Sequence, residues 1–190
     1  MKIYNVCKKY EDHLVLDHLN MTLEEGKVYA LMGPSGCGKT TLLHIILGIL
    51  KPDEGIIELP GERRISAVFQ ENRLFDFMTA WENIAVVQEK AHNVNTINTI
   101  LKEILPEECL TQKVSEFSGG MKRRAAIARA MITQSDLIVM DEPLTGLDEE
   151  TKDQVIRFIM KYRNGRTLIF SNQQEKEVGR FQAGKIMIAP

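Results

Sequence analysis

Gly33-Pro34-Ser35-Gly36-Cys37-Gly38-Lys39-Thr40 matches G-x-x-x-x-G-K-[ST] at every specified position. In such a run the glycines let the backbone curl, so that successive N–H groups point inward at phosphate oxygens. The loop would open a helix, whose partial positive charge also favours an anion. Lys39 would add a point charge for β- and γ-phosphates, and the Thr40 hydroxyl would ligate Mg²⁺. Cys37 fills an unspecified position and is read as a small tolerated side chain. A second chemical group ends the apolar run Asp136-Leu137-Ile138-Val139-Met140-Asp141-Glu142. There Asp141 would hold Mg²⁺ through water, and Glu142 would polarise an attacking water as general base.

Both groups need strands that end at one place, and the hydropathy pattern supplies them. Strands are expected at Met1 to Cys7, His13 to Leu23, Lys27 to Met32, Glu54 to Leu59 and Arg64 to Phe69, the last two split by Pro60-Gly61. A helix is expected from Lys39 to near Leu50, stopped by Lys51-Pro52-Asp53. Trp81 to Ala91 and Thr96 to Leu105 read as helices within a small helical insertion, about 79–116. Alternation then resumes: helix Met121 to Ile132, strand Asp136 to Met140, helix Glu149 to Tyr162, strand Thr167 to Ser171. A helix near Glu175 to Phe181 and a strand Lys185 to Ala189 follow. Apolar strands alternating with helices imply a mostly parallel sheet covered on both faces.

The 190 residues suit one domain, with or without a small insert. Lysine plus arginine is 24 and aspartate plus glutamate is 26, a net charge of −2 that gives no support to a nucleic-acid partner. Cys7, Cys37 and Cys109 are odd in number and lack C-x-x-C spacing. Neither a disulfide framework nor a structural zinc site is expected, and a reducing cytosol is the simple reading. The N-terminus has no signal-like apolar run. The apolar runs, Ile45-Ile46-Leu47 before Gly48 among them, fall far short of the ~20 residues of a membrane span. Work at a membrane would need another chain to supply the span.

Phe117-Ser118-Gly119-Gly120-Met121-Lys122-Arg123-Arg124 resembles the signature sequence, L-S-G-G-Q, of ATP-binding cassette (ABC) ATPases. The order of phosphate loop, signature and acidic strand end is theirs too. Pro143-Leu144-Thr145-Gly146-Leu147-Asp148 resembles their D-loop, Gln70 their Q-loop glutamine, and Tyr10 their adenine-stacking aromatic. The resemblance covers essentially the whole chain. It implies an α/β P-loop NTPase of ABC type, a single cassette with a mostly parallel core sheet and an N-terminal antiparallel β part (1–78 and 117–190), and a small helical subdomain at about 79–116.

The resemblance also implies roles. Gly33, Pro34, Ser35, Gly36, Cys37, Gly38, Lys39, Thr40, Thr41 and Tyr10 would bind ATP. Thr40, Gln70 and Asp141 would serve Mg²⁺, and Glu142 and Gln70 would serve catalysis. Ser118, Gly119, Gly120 and Met121 would close on ATP held by a second subunit, with Asp148 across that interface. Read as residues, Ser118 is a good N-cap, and a serine with two glycines at a helix start suits an anion. A membrane importer subunit follows: peripheral on the cytoplasmic face of the membrane, bound to a transmembrane permease, paired with a second ATPase subunit, and served by an extracytoplasmic binding protein. The wording of 68–84 and 118–122 is similar to ATPases of nitrate, sulfonate and taurine importers. The rival reading is a soluble ATP-gated clamp with weak or no hydrolysis.

Three departures stand out. Met121 replaces the signature glutamine. After Ser171 only a helix and a short strand are expected, with no regulatory domain. Ser171-Asn172-Gln173 stands where the family carries Thr-His-Asp, so Asn172 occupies the switch-histidine position without a positive charge. Leu74, Phe75, Phe77, Met78 and Trp81 would make an apolar socket for the membrane subunit. Of these, Leu74 and Phe75 are expected in the socket, and Phe77 and Trp81 in the core of the helical insertion.

Overall fold

The computed structural model describes residues 1–59, 61, 63–88 and 94–188. Along the chain run β1 (Lys2–Tyr10), β2 (His13–Thr22), β3 (Val28–Met32), α1 (Lys39–Ile46), β4 (Glu54–Glu58), β5 (Ile65–Val68), α2 (Ala80–Ala85), α3 (Val94–Lys102), α4 (Gly119–Ile132), β6 (Leu137–Met140), α5 (Glu149–Tyr162), β7 (Thr167–Ser171), α6 (Glu175–Arg180) and β8 (Gly184–Met187). The chain forms two compact units, 1–67 with 135–142 and 165–190, and 68–134 with 143–164. The expected strand split at Pro60, the end of the helix expected to reach Ala91, and the end of the strand expected to reach Ala189 lie outside the described residues, as does His92.

The first unit holds the sheets. One is three-stranded in the order β2-β1-β4, and its pairings are antiparallel. The other has the order β5-β6-β7-β3-β8, with β3 parallel to both neighbours and β6 parallel to β7. The α/β class, with a parallel core sheet and an antiparallel N-terminal part, is as the sequence implied. All four residues of β6 are buried, and so are four of the five in β7. Such strands are covered on both faces, which is why they read as apolar runs rather than alternations. Leu42 and Leu43 of α1 join Ile3, Val6, Val139 and Ile169 in one buried cluster. Burying each such side chain contributes roughly 1.5–3 kcal/mol.

α1 is shorter than its apolar pattern suggests. It stops at Ile46, because Gly48 takes φ 70°. The Gly48 N–H then donates to the Ile45 carbonyl at 3.0 Å and the Ile49 N–H to the His44 carbonyl at 3.0 Å. That pair of bonds is the Schellman arrangement, which satisfies the last carbonyls of the helix. Pro52 only follows a stop that Gly48 has already made.

The second unit holds α2 to α5. Thr79 and Glu82 make a reciprocal capping box at the start of α2. Ile84, Leu101, Ile104 and Ile127 are fully buried, and α4 contributes Ala125, Ala126, Ala128 and Ala130. Glu103, just past α3, accepts from Lys161 Nζ at 2.8 Å and Tyr162 Oη at 2.7 Å on α5. The Lys161 hydrogen bond holds the Glu103 carboxyl below its usual range. Phe77, expected in this core, is instead 67% exposed, and Phe75 beside it is 44% exposed. The chain turns there before the capping box, so both rings face outward. Trp81 is half-buried.

Nothing lies within 4 Å of a methyl group added at Gly48, so only its backbone conformation resists substitution. Gly48→Ala is expected to lower stability by about 1–2 kcal/mol, the cost of the left-handed conformation for an L side chain. Urea unfolding of both proteins checks this, and equal midpoints would remove Gly48 as the helix stop.

Candidate functional site

The first unit brings the phosphate loop, the acid pair and the end of β7 together. β7 lies between β6 and β3, with Met140 level with Phe170 and Leu31 level with Ser171. The loops leaving the three carboxyl ends are therefore neighbours, the usual place for a ligand in an open α/β sheet. Gly38 takes φ 98° as N-cap of α1, with no side chain capping the helix. A methyl group there would lie 2.8 Å from Val15 Cγ1. The helix start thus keeps its N–H groups for a ligand. Lys39 is 6% exposed and folds back over the loop, donating to the Gly33 and Pro34 carbonyls at 2.8 Å each.

Asp141 is 4% exposed, and both its oxygens are engaged. Thr40 Oγ1 donates to Oδ2 at 2.8 Å, and Ser171 Oγ donates to Oδ1 at 2.6 Å. A buried carboxylate requires such partners. Ser171 Oγ also accepts from the Glu142 N–H at 2.8 Å, where Glu142 takes φ 45°. Ser171, which the sequence reading left out, is thus the clasp between the two acids. Its signal was only its place as the last residue of a strand. The Thr40 and Asp141 oxygens are a hard donor set that fits Mg²⁺.

The structure separates Asn172 from Gln173. Asn172 is 7% exposed and turned inward, with Nδ2 donating to Glu177 Oε2 at 2.8 Å. Its Oδ1 accepts from the Gln173 and Gln174 N–H groups at 2.6 and 2.9 Å, turning the chain into α6. The amide that reaches the expected base is that of Gln173, whose Nε2 donates to Glu142 Oε1 at 2.7 Å. Sequence reasoning passed over it, because position in the motif pointed to Asn172. Tyr10, at the end of β1, is 47% exposed.

Gln70, the signature and Asp148 belong to the second unit. Ser118 caps α4, its Oγ accepting from the Met121 N–H at 3.2 Å. The helix begins at Gly119, two residues earlier than expected, and Ser118 and Gly119 are exposed. A hydroxyl that accepts this bond still carries a proton to donate. Further along α4, Arg123, 5% exposed, donates to the Phe69 and Gln70 carbonyls at 2.6 and 2.8 Å. Arg129 donates to the Arg73 carbonyl at 2.8 Å and Lys122 to Asp76 at 2.9 Å. Burial lowers the Arg129 pKa. One helix therefore carries the signature and grips the Gln70 loop. Asp148 caps α5, its Oδ1 accepting from the Thr151 N–H at 2.9 Å and its Oδ2 from Thr151 Oγ1 at 2.7 Å. These bonds, the backbone one foremost, hold its carboxyl below the usual range.

Ser171→Ala is expected to cost about 1–3 kcal/mol, because it leaves the buried Asp141 oxygen without a donor. Ser171→Thr should restore most of the loss. Chemical denaturation of the three proteins decides it, and an unchanged alanine variant would refute the clasp.

Residues 16–145 match the family described as ABC transporter. The chain is 34% identical to the "Spermidine/putrescine import ATP-binding protein PotA" of Fusobacterium nucleatum, over 98% of this chain and 56% of that protein. It is 35% identical to the protein of that name from Protochlamydia amoebophila, over 91% and 51%. The Thermotoga maritima protein is 34% identical over 93% and 52%. The chain thus spans about half the length of these relatives. Among solved structures, the dimeric structure of MJ0796, a bacterial ABC transporter cassette, superposes with a TM-score of 0.83 at 28% identity, covering 98% of this chain and 93% of that one. A post-hydrolysis dimer of the same cassette bound to ADP and Pi gives 0.81 at 28% identity, with the same coverage. The phosphate loop, the acid pair at the end of β6 and the capped signature helix agree with these matches: the chain belongs to the ABC transporter family, as an ATPase cassette of it.

Proposed function

We propose that this chain is the ATP-hydrolysing subunit of a membrane importer, acting on the cytoplasmic face beneath a permease and as an ATP-dependent head-to-tail pair. The observation that carries this reading is that one chain has two helix starts suited to an anion. One is the phosphate loop with its Thr40–Asp141 oxygen pair. The other is the exposed helix start at Ser118 and Gly119. In a head-to-tail pair each signature closes on the γ-phosphate held by the partner's loop. Lys39 leaves its carbonyls for the phosphates, and Tyr10 offers an exposed ring to adenine. Thr40 and Asp141, with Gln70 by resemblance, hold Mg²⁺, which supplies charge neutralisation at the phosphates. Glu142 accepts the proton of the attacking water at a carboxylate oxygen.

The segment 72–88 supports a permease partner. Phe75, Phe77, Val86 and Val87 are exposed, and the rings of Phe75 and Phe77 lie 6.0 Å apart. Among the described residues, the buried polar side-chain atoms Asn72 Oδ1, Trp81 Nε1 and Gln88 Nε2 lack a partner and all fall in this segment. An apolar patch above unpaired polar atoms is what an incomplete interface looks like. No described helix is long and apolar enough to cross a membrane. The import names of the relatives make polyamine uptake, with an extracytoplasmic binding protein, the first cargo to test.

With MgATP, Glu142→Gln is expected to run as a dimer in light scattering, because nucleotide persists when the base is lost. Adding Ser118→Arg to it should return a monomer. Hydrogen bonds to charged groups contribute about 1.5–3 kcal/mol, so Lys39→Ala should weaken ATP binding by roughly 10- to 150-fold. Ser118→Arg alone should leave binding intact. A nucleotide-loaded monomer of Glu142→Gln at high concentration would overturn the paired site. A non-hydrolysing clamp would instead give wild-type dimers as persistent as those of Glu142→Gln.

Gln173 acts here as a positioning residue, orienting the Glu142 carboxylate. A misplaced catalytic group can cost roughly 10²-fold. Gln173→Ala is expected to slow single-turnover hydrolysis towards that extent with ATP affinity unchanged, and Gln173→His, which keeps an N–H donor, to recover part of it. An alanine variant as fast as wild type would remove Gln173 from the mechanism.

A further inference from the structure

We propose that Cys7, His18 and Glu54 form a binding site for a borderline-soft divalent metal ion such as Zn²⁺, separate from the nucleotide residues. One ligand atom from each lies within 4.8 Å of the other two, and among the described residues this is the one such triplet of His, Cys, Asp or Glu. Each residue comes from, or begins, a different strand of the antiparallel sheet. Cys7 on central β1 is directly opposite Glu54 on β4. On the other side the β1–β2 ladder slips between Val6↔Leu19 and Lys8↔Leu16, so that Cys7 faces both Asp17 and His18. A bulge of this kind re-aims a side chain. His18 takes φ 41°, and its N–H donates to Cys7 Sγ at 3.2 Å. The thiol is buried, yet it is not in the core cluster that Ile3 and Val6 of the same strand join.

The surroundings suit a cation. Asp17 Oδ1 lies 2.6 Å from His18 Nδ1. A carboxylate hydrogen-bonded to a ligating histidine orients its ring and raises its basicity as a ligand. Sulfur, imidazole and carboxylate together select zinc-like ions over Mg²⁺. A tetrahedral ion about 2.0–2.3 Å from each ligand needs them about 3.5 Å apart. The exposed His18 and Glu54 side chains can close that gap by rotation. Three protein ligands leave one position for water.

Co²⁺ titration of the full nucleotide-free chain tests the site, with the sulfur-to-cobalt charge-transfer band as readout. One equivalent is expected to bind with that band, and Zn²⁺ to displace it. Cys7→Ser should lose the band. His18→Ala and Glu54→Gln, both at exposed positions, should weaken Co²⁺ binding at least about tenfold, and Asp17→Asn about tenfold, as loss of a partner behind a ligand does. Absence of the band in the wild type, its survival in Cys7→Ser, or wild-type affinity in both exposed variants would each overturn the site.

Discussion

A buried carboxylate needs a donor for each oxygen, and Asp141 obtains both from hydroxyls. One donor, Thr40, begins the helix after the phosphate loop. The other, Ser171, ends β7. The constraint draws the ends of β6 and β7 and the start of α1 into one hydrogen-bonded set, and the Glu142 backbone is fastened to the same serine. Those donors hold Asp141 in one orientation between α1 and β7. The stability of the sheet end and the readiness of the site are therefore one matter. This is why Ser171 is fastened to both acidic residues that follow β6.

The second unit solves a different problem with the same means. α4 is short of apolar residues on its exposed side, and it uses Lys122, Arg123 and Arg129 as fasteners. Their targets are mostly backbone carbonyls of the loop that contains Gln70. A loop held through its carbonyls moves with the helix that holds it.

Replacing the family's histidine also has a local logic. Asn172 is short enough to turn inward, accept from the Gln173 and Gln174 N–H groups before α6 and pair with Glu177. Once its side chain is committed there, the next residue faces the carboxylate, and Gln173 has the length to reach Glu142. A neutral amide donates without bringing charge. Glu142 thus keeps a hydrogen bond from a neutral donor.

Much of the cassette was legible in the residues alone, because its signals are local. The phosphate loop, the acidic end of β6, the Ser118 cap and the buried strands each depend on a few adjacent residues and on a periodicity that contiguous sequence carries. The stop of α1 at Gly48 was equally local and was overlooked in favour of Pro52. Exposure of Phe77 was not legible, since an apolar side chain reads the same whether it meets a core or a missing partner. Only the tertiary structure decided that Ser171 clasps the two acids, that Gln173 rather than Asn172 meets Glu142, and that Cys7, His18 and Glu54 converge. These contacts join strands far apart in the chain. Their geometry follows from register, from bulges and from which neighbouring group has already taken a side chain's hydrogen bonds, none of which a linear spacing contains.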